Sequence, residues 1–273
     1  MMIITMNDKD YINANREAWN EVAPVHQKAR GKEFLEEVKS PDYSALDAFV
    51  TGKLREIGFE GKSVAQLCCN NGRECISLRN LGSGPITGFD ISDEAIAEAR
   101  KLNEIAGSDC EFVRTDVFEI DKKHYGKYDI VFITVGALSW LPDLERFFKV
   151  VYNLLKPDGY LLIYEMHPFL YTIPCKDELE FDPEQPFKIE YSYFKTEPWA
   201  EDSGIDYVGG TTYQGKTSYS FTQKISDIIN PIVKNDITLV ELNEYPHDIS
   251  SIYPFLEKEQ KLPLSFILIG KKN

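Results

Sequence analysis

The chain has 273 residues, 43% hydrophobic and 27% charged, a length that suits one large domain or one domain carrying an elaborated insertion. Its 30 basic and 44 acidic side chains give a formal net charge of −14 with no strong basic run, which disfavours nucleic acid as a partner, and its apolar runs are too short to span a bilayer. Five cysteines, Cys68, Cys69, Cys75, Cys110 and Cys175, show neither a CxxC pair nor a zinc-like spacing, so they read as reduced structural thiols and no metal site is expected.

In chain order, residues Asp10 to Arg30 predict a helix that Pro24 should break or bend. Ser44 to Ile57 predicts a second, with Ser44 as its cap. From Lys62 short apolar runs alternate with longer amphipathic segments, the pattern of parallel strands joined by crossover helices. Strands are expected at Ser63 to Leu67, Pro85 to Asp90, Cys110 to Arg114, Tyr128 to Thr134 and Tyr160 to Met166. The helices between them are Arg73 to Leu81, Asp93 to Ala106 capped by Ser92, and Leu144 to Leu155. After His167 comes an aromatic-rich stretch with strand-like pieces at Lys188 to Phe194 and Thr217 to Phe221, then a helix from Thr222 to Lys234. Ile237 to Glu244 and Leu264 to Lys271 follow without an obvious crossover helix, predicting an antiparallel pair at one edge of the sheet. The expected divisions are a helical flank or lid at 1–61, a Rossmann-like core at 62–167, an insertion at 168–221, and a closing helix and strand pair at 222–273.

In an open α/β sheet, ligands bind beyond the carboxyl ends of the strands. The loop after the first strand, Cys68-Cys69-Asn70-Asn71-Gly72, runs straight into a helix, and glycine and asparagine tolerate the left-handed backbone such a turn requires. Any strand-to-helix turn in an α/β protein has similar needs. Asp90 ends the second strand 18 positions after Gly72, near the spacing of a carboxylate that accepts from ribose hydroxyls; its other reading is a helix cap. After the third strand, Asp116 is placed to accept from an adenine amino group while Ile91 and Val117 pack on the ring faces; a solvated loop carboxylate is the alternative. After the fourth, Gly136 permits close approach and Trp140 is an unusual loop aromatic.

The ordered segments VAQLCCNNG, ITGFDISDEAIAEAR, VRTDVFE, YDIVFITVGALSWLPDLERFF and LLKPDGYLLIYE resemble the class I S-adenosylmethionine-dependent methyltransferases, particularly their small-molecule branch, over about Lys62 to His167. The resemblance implies a doubly wound, mostly parallel seven-stranded sheet with an antiparallel last strand, and S-adenosyl-L-methionine as cofactor. It places the cofactor's methionine and ribose along Cys68, Asn70 and Gly72, the ribose hydroxyls on Asp90, the adenine on Asp116 and Val117, and the sulfonium beside Thr134 to Gly136. It also places Tyr11 and His26, on the N-terminal helix, near the cofactor carboxylate. The chain departs from the family at Gln66, Cys68 and Asn70, where an acidic residue and glycines are usual.

Methyl transfer from a sulfonium is a direct displacement that needs alignment and exclusion of water, with a base only where the acceptor must lose a proton. His167 is the expected base, with Glu165, His26 and His247 as other candidates. Trp140 and Tyr219 are expected beside a small-molecule acceptor under an aromatic cap. A cofactor-binding module without turnover and a nicotinamide-dependent oxidoreductase are the competing readings. The start of the sequence does not read as a secretory signal, so the cytoplasm is expected; oligomeric state is left open.

Overall fold

The computed structural model describes residues 6–273. Helix α1 (Asp8–Val38) starts at a capping box in which the Asn7 side chain accepts from the amides of Lys9 and Asp10 while Asp10 accepts from the Asn7 amide. The helix passes through Pro24 and instead breaks at Gly31, where φ is 69°. Helix α2 (Ala48–Glu56) starts later than expected, because Asp47 rather than Ser44 accepts from the amides of its first turn.

The core then alternates as its periodicity predicts: β1 (Val64–Leu67), α3 (Arg73–Asn80), β2 (Ile86–Asp90), α4 (Asp93–Ala106), β3 (Glu111–Arg114), β4 (Tyr128–Ile133), α5 (Leu144–Leu154) and β5 (Leu155–Met166). In the insertion, β6 (Trp199–Glu201) and β7 (Ser218–Ser220) form an antiparallel pair. The expected strand at Lys188 to Phe194 is absent: none of these residues is buried and no strand pairs with them. Helix α6 (Ile225–Lys234), β8 (Ile237–Tyr245) and β9 (Ser265–Lys272) complete the chain.

The main sheet runs β3-β2-β1-β4-β5-β9-β8. Neighbours from β3 to β5 are parallel, and β9 lies antiparallel between β5 and β8, which agrees with the expected seven strands and antiparallel last strand. Helices α2, α3 and α4 bury Val50, Leu54, Leu78 and Ile96 against one face. Helices α5 and α6 bury Phe147, Phe148, Ile228 and Ile232 against the other. The chain therefore winds outward in both directions from the β1/β4 junction, which makes the carboxyl ends of β1, β2 and β4 the natural place for a ligand. Helix α1 crosses α4 beside that mouth, where Arg16 and Asn20 meet Asp93. No helix of the described residues is long and apolar enough to cross a membrane.

Candidate active site

The loop leaving β1 turns through three left-handed residues, Cys68 (φ 55°), Asn70 (φ 47°) and Gly72 (φ 72°). Two are not glycine. The loop is held in part by Asp90 at the end of β2, whose Oδ2 accepts the Asn70 amide at 2.8 Å while Oδ1 accepts the Ser92 amide at 2.9 Å. Burial raises the Asp90 carboxyl above its ordinary range, and these backbone N–H groups oppose the rise. A carboxylate offers about four lone-pair sites, so each oxygen keeps capacity for a ribose hydroxyl.

Gly72 answers a packing need. A Cβ there would stand 2.4 Å from Cε1 of Phe112 on β3 and 3.1 Å from the Cβ of Ala99 on α4. Its absent side chain lets helix and strand close together. Gly136, at φ 85° after β4, has nothing within 4 Å of its own Cβ position, so space is open there. Burial pushes the Cys68 thiol well above its ordinary value, which keeps it neutral beside Asp90.

Gln66, in the family's acidic position, is 1% exposed and committed inward. Its Oε1 accepts from Cys75 Sγ at 2.9 Å and its Nε2 donates to Thr134 Oγ1 at 3.2 Å, tying the end of β1 to the end of β4. Asp116 caps a 3-10 turn by accepting the Phe118 amide at 2.9 Å and stays half-buried, with its carboxyl raised by burial; Ile91 is also half-buried and Val117 is 5% exposed.

The loop after β4 is folded by Glu165, a residue the sequence offered as a base. Glu165 is 4% exposed and accepts the amides of Gly136 at 2.6 Å and Leu138 at 3.0 Å. Burial raises its carboxyl to about 7. The Glu165 side chain shapes the loop that carries Trp140.

Aromatic contacts tie α1 to the loop after β4 and to the insertion: the Trp140 ring meets Trp19 edge-on at 5.3 Å, while Tyr11 meets Tyr219 at 5.0 Å and Phe221 at 5.4 Å. The insertion thus packs on α1, and the Phe221 amide bonds Ser139 O at 2.7 Å. His26 belongs to the same anchorage: it is 2% exposed, with Nε2 3.0 Å from Ile205 O and its ring 4.6 Å from Tyr207.

His167 differs from its expected role. Its Nδ1 accepts the Phe169 amide at 3.2 Å and its Nε2 lies 2.9 Å from Glu244 Oε1, so both ring nitrogens are engaged. The structure makes it a cap of the 3-10 turn at Pro168–Thr172 and a partner of β8, with no free lone pair for a base. The Asp90 bond ties Asn70 to the end of β2, the Gln66 bond ties Thr134 to the end of β1, and Gly136 is held by Glu165.

A second polar cluster joins His247, one of the candidate bases, to two residues that sequence reasoning missed, Asp47 and Tyr164. On β5, Tyr164 Oη lies 2.5 Å from Asp47 Oδ2 and 2.7 Å from His247 Nε2. The available signal was a tyrosine in the strand LLIYEM, indistinguishable there from core. Tyr164 lines a cavity of about 140 Å³ with Thr134 and Val135 in its wall. A larger groove of about 400 Å³ between α5 and α6 contains none of the predicted site residues. Among the described residues, no group of three His, Cys, Asp or Glu side chains is arranged to hold a metal ion.

Residues 64–159 match the model of a methyltransferase domain. A methyltransferase from a Geobacillus strain is 30% identical over 129 residues, 46% of this chain and 51% of that protein. The release factor glutamine methyltransferase of Bacteroides thetaiotaomicron is 34% identical over 92 residues, 28% of this chain and 33% of its own length. The chain thus spans about half or less of these relatives. Among solved structures, an S-adenosylmethionine-dependent methyltransferase from Mesorhizobium loti aligns with a TM-score of 0.57 at 19% identity, covering 81% of this chain and 96% of that one, a likeness of fold.

Proposed function

We propose, from the match of residues 64–159 to the model of a methyltransferase domain, that the chain transfers the methyl group of S-adenosylmethionine to a small-molecule acceptor. The observation that carries the reading is Asp90, fixed by the Asn70 and Ser92 amides with acceptor capacity to spare at the strand-end mouth. The residues suit the cofactor: Asp90 for the ribose, Asp116 with Ile91 and Val117 for the adenine, and the open face of Gly136 beside the reacting end. Tyr11, Trp19, Trp140 and Tyr219 form an aromatic layer suited to excluding water and to facing a cation. When bound, S-adenosylmethionine supplies an electrophilic methyl on sulfur, and the protein's task is to align an acceptor with the methyl–sulfur bond. The net charge of −14 supports a small acceptor over nucleic acid.

Gln66 favours a second reading, a binding module without turnover, because it is committed to Cys75 and Thr134 and brings no carboxylate toward a cofactor ammonium. A thermal-shift comparison of S-adenosylmethionine, S-adenosylhomocysteine and NAD tests both. A ligand at 100 times its dissociation constant adds about 2.7 kcal/mol, so both adenosyl compounds should raise Tm and NAD should not. A response to neither adenosyl compound removes the proposal. Formation of S-adenosylhomocysteine with an acceptor screen separates enzyme from binding module.

A further inference from the structure

The cavity in front of Tyr164 lies where α2, α3, β5 and the loop between β8 and β9 meet the end of β4, and its polar lining is Asp47, Arg73, Glu74, Thr134, Tyr164 and Asp248. It is a small cavity of about 140 Å³. Thr134 belongs both to this wall and to the Gln66 bond that ties β4 to β1, so the cavity and the cofactor mouth share a wall.

Tyr164 is 5% exposed, and its hydrogen bonds can be counted. Asp47 Oδ1 accepts the amides of Phe49 and Val50, and Asp47 Oδ2 accepts from the Tyr164 hydroxyl. The Tyr164 proton therefore points at Asp47 Oδ2. By the same count His247 Nε2 carries the hydrogen it shares with Tyr164 and donates it; Phe49 stacks on that imidazole at 4.2 Å. A phenol has one proton and two lone pairs, so one lone pair of Tyr164 remains for a ligand in the cavity. It can be met only by a donor. Arg73 is paired with Glu74 at 2.9 Å, which leaves Asp47 and Asp248 as the acidic side chains of the lining without an ion-pair partner, the Asp248 carboxylate accepting from the Ser250 amide and hydroxyl and from the Tyr253 amide.

We propose that this cavity receives the acceptor's reacting group and that the group is a small amine, whose N–H donates to Tyr164. The inference rests on the methyl-transfer reading above. An incoming ammonium passes one proton to Tyr164 Oη as the Tyr164 proton moves to Asp47, leaving a neutral amine. The nitrogen lone pair then bonds the methyl carbon while the methyl–sulfur bond breaks and its electron pair stays on sulfur. The products are a methylated ammonium and a neutral thioether.

The test uses the full chain saturated with S-adenosylhomocysteine, titrated calorimetrically with ethanolamine and benzylamine and, for contrast, with benzoate and phenol. Amine binding by the wild type, weakened at least tenfold in Tyr164→Phe and in Asp47→Asn, with no binding of benzoate, supports the assignment. Asn is a good helix cap, so Asp47→Asn keeps the start of α2 while supplying a donor that reverses the Tyr164 hydrogen bond. His247→Gln, which keeps a donor, should retain more amine affinity than His247→Phe. An S-adenosylhomocysteine complex that binds neither amine, or binds them equally well in Tyr164→Phe, overturns the amine assignment and leaves the cofactor reading standing. Failure of S-adenosylhomocysteine to bind the wild type overturns the methyl-transfer reading itself.

Discussion

The Asn15 side-chain amide grips the backbone of Tyr219 from both sides, Oδ1 accepting the Tyr219 amide at 2.7 Å and Nδ2 donating to the Tyr219 carbonyl at 2.8 Å. Asn15 is 5% exposed and sits on α1, so one buried side chain joins the N-terminal helix to β7 of the insertion. Helix α1 and the β6/β7 pair are thereby joined beside the strand-end mouth. Asn15→Leu should leave both Tyr219 groups without this partner, at about 1–3 kcal/mol for each group that stays buried and unpaired. Hydrogen exchange should speed up at Tyr219 and across β6 and β7 while the β1 and β4 amides stay protected. Unchanged exchange at Tyr219 would show that the cap is held by its aromatic contacts alone.

At Asp90 the structure couples binding to the integrity of the loop. Asp90→Ala removes the acceptor of the Asn70 and Ser92 amides as well as the proposed ribose contacts. With about 1.5–3 kcal/mol for each hydrogen bond to a charged group, S-adenosylhomocysteine affinity should fall at least a hundredfold and Tm should fall with it. Calorimetric titration beside a melting curve reads both; a variant with wild-type affinity would place the ribose elsewhere.

Gly72 should tolerate no side chain. Gly72→Ala sets a Cβ 2.4 Å from the Phe112 ring on a backbone with φ of 72°. Overpacking costs about 1–3 kcal/mol, and a left-handed residue with a Cβ adds about 1–2 more. Urea denaturation should show that loss, and Phe112→Leu introduced together with Gly72→Ala should recover part of it by vacating the ring's volume. Equal stability of the single and double variants would mean that Phe112 moves aside freely.

The alternating core from β1 to β5 was legible because each strand is a short apolar run and each crossover helix has its own periodicity. Asp90 stood out by its spacing from Gly72. What the sequence could not tell depends on distant partners. The clash that Gly72 avoids comes from Phe112, forty positions on, so the sequence shows only a glycine in a loop. Ser44 and Asp47 are both good caps, and only the path of the chain chooses Asp47, which then also reaches Tyr164. Tyr164 looks like core because its ring is core, and its hydroxyl matters through residues 117 positions before it and 83 after it. His167 reads as a base until Phe169 and Glu244 are seen to occupy its two nitrogens. In the insertion, strand propensity at Lys188 to Phe194 found no partner, whereas the shorter Trp199–Glu201 found β7.

Glu165 should leave a signature in the pH dependence of stability. Its carboxyl holds a proton up to about pH 7 in the folded chain, because burial outweighs the bonds from Gly136, Leu138 and Met166, whereas the reference value is 4.5. Between those values the native state binds more protons than the unfolded chain, so stability falls as pH rises. The favourable contribution is whole below pH 4.5 and is lost as pH climbs through 7, by about 3 kcal/mol at one pKa unit per 1.36 kcal/mol. Glu165→Gln cannot titrate, and its amide replaces the carboxyl group that now meets the Gly136 and Leu138 amides. Urea denaturation of both proteins at pH 5, 6, 7 and 8 isolates this one group from the other titrating residues. The stability difference, wild type minus variant, should shrink from pH 5 to 7 and level off above it; a difference constant across that range would show that Glu165 is ionised throughout and that the loop amides, not burial, govern its charge.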